Sequence, residues 1–138
     1  MATTTVRWLN EMHFVGIDSR GHSVVLSGQE DGIGVSPSQM LLVALASCSA
    51  VDVVEILRKK RKKLTLLEIT TSGEQDPEPP WPYRKIHVKY RLGGEGLTDK
   101  AVAQAINLSQ EKYCSVSATV RGVAQITTEY EIVAPDAV

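Results

Sequence analysis

The chain has 138 residues, 43% hydrophobic and 22% charged, which is enough for one domain with its own core and is the balance of an ordinary soluble globular protein. A formal net charge of -1 removes any global pull toward nucleic acid or an anionic membrane, and one Phe, two Trp and four Tyr are too few aromatics for a base-stacking surface. The opening MATTTVRWLNEMHF has neither the basic nor the apolar region of a signal peptide, so a reducing cytoplasm is expected.

Three short strands are predicted first, in TVRWL, HFVGID and HSVVLS, with breaks at Asn10-Glu11 and Ser19-Arg20-Gly21. In the second, His13, Val15 and Ile17 alternate with Phe14, Gly16 and Asp18, and the pattern does not say which face is buried. A loop rich in glycine and acid, SGQEDGIGV, leads to Ser36. There the signals for a helix start coincide: a capping Ser36, Pro37 at the first helical position, and Gln39 completing a capping box. The run Arg58 to Lys63 supplies cations suited to the helix C-terminus. Roughly 26 residues make a helix of about 39 Å. From Met40 to Ala46 it is apolar on every face, as expected of a helix surrounded by protein. Asp52 and Glu55 within the run argue for a buried helix over a membrane span. So long a helix is hard to cover with one copy of the chain, and a homodimer is expected.

LTLLEITTSGEQ is the next predicted strand, and the Pro-rich DPEPPWPY after it cannot be a central strand. RKIHVKYRL alternates Ile86, Val88, Tyr90 and Leu92 against Lys85, His87, Lys89 and Arg91, the mark of a half-exposed strand. Thr98 caps a second helix, DKAVAQAINLSQEK, with Val102, Ala105, Ile106 and Ser109 on one face. YCSVSATV is a short helical turn, and AQITTEYEIV closes the chain as a strand. The order is β-β-β-α-β-β-α-β, an α+β domain over residues 1–138 with one long buried central helix.

The chemistry rests on two cysteines, Cys48 and Cys114, far apart in the chain and without the spacing of a CxxC motif or a metal knuckle. Cys48 lies on one helix face with Ala44, Asp52 and Glu55. Free cysteine often only packs, and an apolar shell alone would raise its pKa, so a reactive Cys48 needs a cation or a donor beside it; Arg7 and Arg20 are candidates. Cys114 stands at the start of the short turn, where a helix N-terminus favours the thiolate; a connector cysteine is the alternative. If the thiols meet, one can attack an oxidant and the other resolve the sulfenic acid to a disulfide. His13, His22 and His87 show no ligand spacing. The RKKRKK run reads better as a solvated helix end than as a nucleic-acid patch.

SPSQMLLVALASCSAVDVVEIL followed by EKYCSVSATV resembles the OsmC/Ohr family of thiol-dependent hydroperoxide reductases, in its OsmC-like (YhfA-type) subgroup, across nearly the whole chain. The resemblance implies an intertwined homodimer with sites near the subunit interface. It makes Cys48 the peroxide-attacking and Cys114 the resolving cysteine. In the better characterised branches of that family an arginine from the N-terminal strands and a glutamate near the start of the central helix orient and activate the attacking thiol. Here the helix starts SPSQM, with Ser38 or Gln39 where the glutamate would stand.

The function expected is a peroxidase for organic hydroperoxides or hydrogen peroxide, working through a Cys48 sulfenic acid and a Cys48–Cys114 disulfide in oxidative-stress defence. An external dithiol would reduce it, with no metal or organic cofactor, no nucleic acid and no membrane. Met40, Leu41, Val43, Ala44 and Leu45 would wall an alkyl group. The alternatives are a non-enzymatic redox sensor or small-molecule binder, and a protein in which both thiols only pack.

Overall fold

The computed structural model describes residues 1–30 and 32–136, so Asp31 in the predicted glycine-rich loop lies outside the described residues. The described chain forms two compact units, Met1–Leu41 and Leu42–Val138.

The first unit is an antiparallel meander, β1 (Thr5–Asn10), β2 (His13–Ile17) and β3 (Ser23–Ser27), paired in chain order. Asp18 builds the β2–β3 connection, its carboxylate accepting the amide hydrogens of Arg20 and His22 at 2.8 and 2.9 Å. After β3 the chain folds back so that Leu26 and Val35 form a parallel bridge. Only glycine fits at position 34, since a Cβ there would come within 2.6 Å of the Leu26 backbone. The Gly34 amide donates to the buried Ser27 hydroxyl at 2.9 Å. Helix α1 (Pro37–Lys59) begins two residues past Val35, three residues shorter than the roughly 26 predicted. Its first backbone bond, Met40 N–H to the Ser36 carbonyl, is 2.8 Å, but the hydroxyl of Ser36 lies 3.4 Å from that of Ser38, not in a box with Gln39.

In the second unit α1 ends in a Schellman motif, Arg61 N–H donating to the Arg58 carbonyl and Lys62 N–H to the Leu57 carbonyl, both at 2.9 Å. Arg61 takes the left-handed position, φ 59°, that glycine usually fills. Strands β4 (Lys63–Gln75) and β5 (Tyr83–Glu95) pair antiparallel, and β5 pairs in parallel with β6 (Gln125–Val133). A parallel pair needs a long crossover. Here it is α2 (Asp99–Leu108), one π turn (Ser109–Tyr113) and α3 (Ser115–Val120). Thr98 caps α2, its hydroxyl accepting from Ala101 N–H at 3.1 Å.

The core of this unit obeys the predicted periodicities. Ile86, Val88, Tyr90 and Leu92 of β5 are buried together with Leu45, Val53 and Leu57 of α1 and Ala101, Val102, Ala105 and Ile106 of α2. Helix α1 is apolar and long enough to pass as a membrane span on composition. It is instead a core helix on one side, with Leu45, Ser49, Val53 and Leu57 buried. The opposite side exposes Val43, Val51 and Val54, so the described residues of one chain leave the helix partly uncovered, as expected of a helix too long for one copy to cover.

Candidate functional site

Helix α1 presents Cys48, and the end of the π turn presents Cys114. The Cys114 amide donates to the Ser109 carbonyl at 2.8 Å, which closes the π turn, and extended dihedrals at Cys114 then start α3. The fold brings the two thiols close enough to influence each other, Cys48 half-buried and Cys114 buried. The Ser115 hydroxyl lies 3.9 Å from the Cys48 sulfur. The Cys114 sulfur accepts the hydroxyl and the amide hydrogens of Ser117 at 3.2 and 3.4 Å.

The thiols are displaced in opposite directions. Burial pushes the Cys48 thiol up, but hydrogen bonds from the Val116 amide, the Cys114 side chain and the hydroxyl and amide of Ser115 outweigh it and hold Cys48 below the ordinary thiol range. Burial pushes the Cys114 thiol up and prevails over the two Ser117 donors, and the neighbouring Cys48 adds to the rise. This corrects the expectation that the helix start would favour the Cys114 thiolate. The amides of the first turn of α3 divide between the sulfurs: Ser115 and Val116 serve Cys48, Ser117 serves Cys114, and Cys114, deeper, keeps its proton. The donor that Cys48 requires therefore comes from Ser115, Val116 and Cys114. Arg7 and Arg20 belong to the first unit, as do Ser38 and Gln39 in the first turn of α1. Leu45, expected to wall an alkyl group, is fully buried in the core; Leu41 and Val43 are exposed.

Beside the thiols lies a buried polar cluster that the sequence alone does not assemble. Ser49 Oγ is 2.6 Å from Tyr90 Oη and 2.8 Å from Ser109 Oγ. Ser109 donates to Asp52 Oδ2 at 2.9 Å, and Gln110 Nε2 donates to Tyr90 Oη at 2.9 Å. Arg121 donates to the Gln110 carbonyl. Burial raises the Tyr90 phenol, partly offset by the bonds from Ser49 and Gln110 and increased by the charges of Cys114 and Asp52. The side-chain oxygen of Gln110, in a residue only 7% exposed, has no partner among the described residues. Such a buried acceptor costs about 1–3 kcal/mol. The cluster had a signal: Ser49 in an apolar run and Ser109 on the apolar face of the predicted second helix must hydrogen-bond to something.

The histidines are engaged elsewhere. His13 contacts Ser27, His22 pairs with Asp18, and His87 meets Thr127 and Glu129. Among the described residues no three His, Cys, Asp or Glu side chains converge as metal ligands would.

An α+β fold that sets an acidified thiol on a central helix against a second, buried thiol from a crossover turn defines a protein with a paired-cysteine site. The chain belongs to the OsmC-like protein family, whose family model matches residues 28–129. It is similar to Protein YhfA of Escherichia coli K12, 37% identical over 129 residues that cover 94% of this chain and 96% of that protein. Among solved structures it is similar to a hypothetical protein of Aquifex aeolicus, with TM-score 0.86 and 32% identity over 97% of each chain. It shares its fold with the organic hydroperoxide resistance protein OhrB of Bacillus subtilis, at TM-score 0.62 and 17% identity over 95% of this chain and 98% of that one.

Proposed function

We propose that the protein is a thiol-dependent peroxidase acting on organic hydroperoxides or hydrogen peroxide. The observation that carries this reading is the meeting of two free thiols from separate segments, Cys48 of α1 beside Ser115 and Cys114 bonded to Ser117, with Cys48 displaced toward the thiolate. Only the thiolate attacks a peroxide efficiently. A sulfur electron pair of Cys48 forms an S–O bond to the distal peroxide oxygen as the O–O bond breaks, and the departing alkoxide takes a proton and leaves as alcohol. Cys48 is then a sulfenic acid. The Cys114 sulfur attacks the Cys48 sulfur; the S–O bond breaks, the departing hydroxide takes the Cys114 proton, and a disulfide and water result. A proton kept on Cys114 is thus available where a leaving group needs it. An external dithiol restores both thiols by exchange and is itself oxidised. The family, and the hydroperoxide-resistance name of a structural relative, support the same reading.

The reading extends to a cytoplasmic protein working as a single OsmC-like domain in a homodimer. A second copy would cover the exposed apolar row Val43, Val51 and Val54 of α1.

The test is mass spectrometry of the thiols before and after one equivalent of cumene hydroperoxide, followed by turnover with a dithiol. A Cys48–Cys114 disulfide within seconds and repeated turnover, both abolished in Cys48→Ser, are expected. No turnover of wild-type protein across several peroxides would defeat the proposal. A second reading, a redox sensor oxidised once without turnover, is favoured by Ser38 and Gln39 standing where the family carries a glutamate. Stoichiometric oxidation of Cys48 alone would select it.

A further inference from the structure

The buried cluster beside the thiols has a fixed polarity. Ser109 donates its single hydroxyl hydrogen to Asp52 Oδ2 at 2.9 Å. Across the 2.8 Å contact between the two serines, Ser49 must then be the donor to Ser109. With that hydrogen committed, the 2.6 Å contact requires Tyr90 to donate to Ser49. Tyr90 in turn accepts from Gln110 Nε2 at 2.9 Å. The result is one directed chain, Gln110 to Tyr90 to Ser49 to Ser109 to Asp52, in which every hydroxyl donates once and accepts once.

The chain joins the two segments that carry the thiols. Ser49 is the neighbour of Cys48 on α1, and Asp52 lies one turn further along the same helix. Ser109 opens the π turn, and its carbonyl holds the Cys114 amide at 2.8 Å. Through its side chain Ser109 is bound to the helix of Cys48; through its main chain it is bound to Cys114 itself. The π turn matters here because it adds one residue to the α-helical repeat, rotating the residues downstream of it, Cys114 among them, by about 100°. The segment keeps this irregular turn and an unpartnered Gln110 oxygen at the point where Cys114 must be aimed.

We propose that Ser109, with the hydroxyl chain it anchors, is a positioning residue that fixes the approach of Cys114 to Cys48. It governs disulfide formation directly, and touches the peroxide step only through the donors that Cys114 and the start of α3 give Cys48. The inference rests on the dithiol reading above.

The experiment monitors two rates on the full-length protein after one equivalent of cumene hydroperoxide. Loss of the Cys48 thiol reports the first step. Decay of a dimedone-trappable Cys48 sulfenic acid into the disulfide reports the second. Ser109→Ala is expected to slow the second rate about 10- to 100-fold, the scale of a misplacement of about 1 Å, with the first rate slowed far less. Asp52 is half-buried, so its variants perturb folding less: Asp52→Ala is expected to slow the second step in the same sense, and Asp52→Asn, which keeps an acceptor for Ser109, to restore it. Equal slowing of both steps, unchanged disulfide formation in Ser109→Ala, or Asp52→Asn as slow as Asp52→Ala would overturn the inference while leaving the dithiol reading intact. Wild-type protein that forms no disulfide would overturn both.

Discussion

The two three-stranded sheets use the same kinds of residues to opposite effect. In β5, every second residue from Ile86 to Leu92 is fully buried, and the strand's charged residues point away from that core. In the meander, β1 is exposed along its whole length, Val6 and Trp8 included, and β2 is half-buried on both faces. One sheet completes the burial of its central strand within its own unit; the other leaves apolar side chains for a further surface to cover. The ambiguity of His13 to Asp18 as a sequence pattern was therefore informative, because neither face of β2 is a finished core face.

The largest effect that would sharpen this contrast lies in β5. Leu92→Ala removes a fully buried side chain and should cost about 2–5 kcal/mol in denaturant unfolding, measured beside wild type at one protein concentration. On the uncovered side, Val51 is 69% exposed, and Val51→Lys should leave the isolated fold within about 0.5 kcal/mol. If a second copy covers that row, the same substitution should weaken self-association at least about tenfold in sedimentation, roughly 1.4 kcal/mol. Association unchanged in Val51→Lys would break the comparison at this row.

A smaller effect separates the two thiols. Cys48 is held below the ordinary thiol range, so its alkylation by iodoacetamide should persist to lower pH than that of an unperturbed cysteine, and fall away only as pH drops through its lowered pKa. Cys114, raised by burial, should react only at higher pH, and more slowly for lack of access. Ser115→Ala removes one of the donors to Cys48 and should move its alkylation profile upward in pH, with a smaller shift in that of Cys114. A Cys48 profile that coincides with a free cysteine would remove the asymmetry on which the proposed chemistry rests.

How far the sequence could be read obeys the same division. The order of elements, the buried face of β5 and the helical face Val102, Ala105, Ile106 and Ser109 were legible, because each is a period repeated against one core. The π turn was not: Ser109 to Tyr113 continues the composition of α2, and nothing local marks a change of hydrogen-bond register. The acidity of the thiols was reversed for a related reason. Composition places Cys114 at a helix start, but which sulfur the free amides meet is decided by how α1 and α3 pack. Ser49, Tyr90, Ser109 and Gln110 come from three separated segments, so their pairing is a tertiary fact, announced in the sequence only by polar residues at buried positions.

The smallest effect concerns the end of α1, where the cation run satisfies the helix dipole but not the backbone. Arg58 and Lys59 sit in the last turn, as the dipole favours, and Arg58 also meets Glu55 at 2.6 Å. Arg61, two residues later, holds φ 59° in the Schellman motif, a conformation in which its Cβ crowds the backbone. Arg61→Gly relieves that strain and loses part of the gain to the greater freedom of the unfolded chain, leaving a net stabilisation of about 0.5–1 kcal/mol. Arg61→Val, β-branched at the same dihedral, should destabilise. Thermal unfolding of the two variants beside wild type gives the sign directly: if glycine lowers the midpoint, the arginine side chain contributes more at this turn than its backbone strain costs, and the helix end is held by its charge.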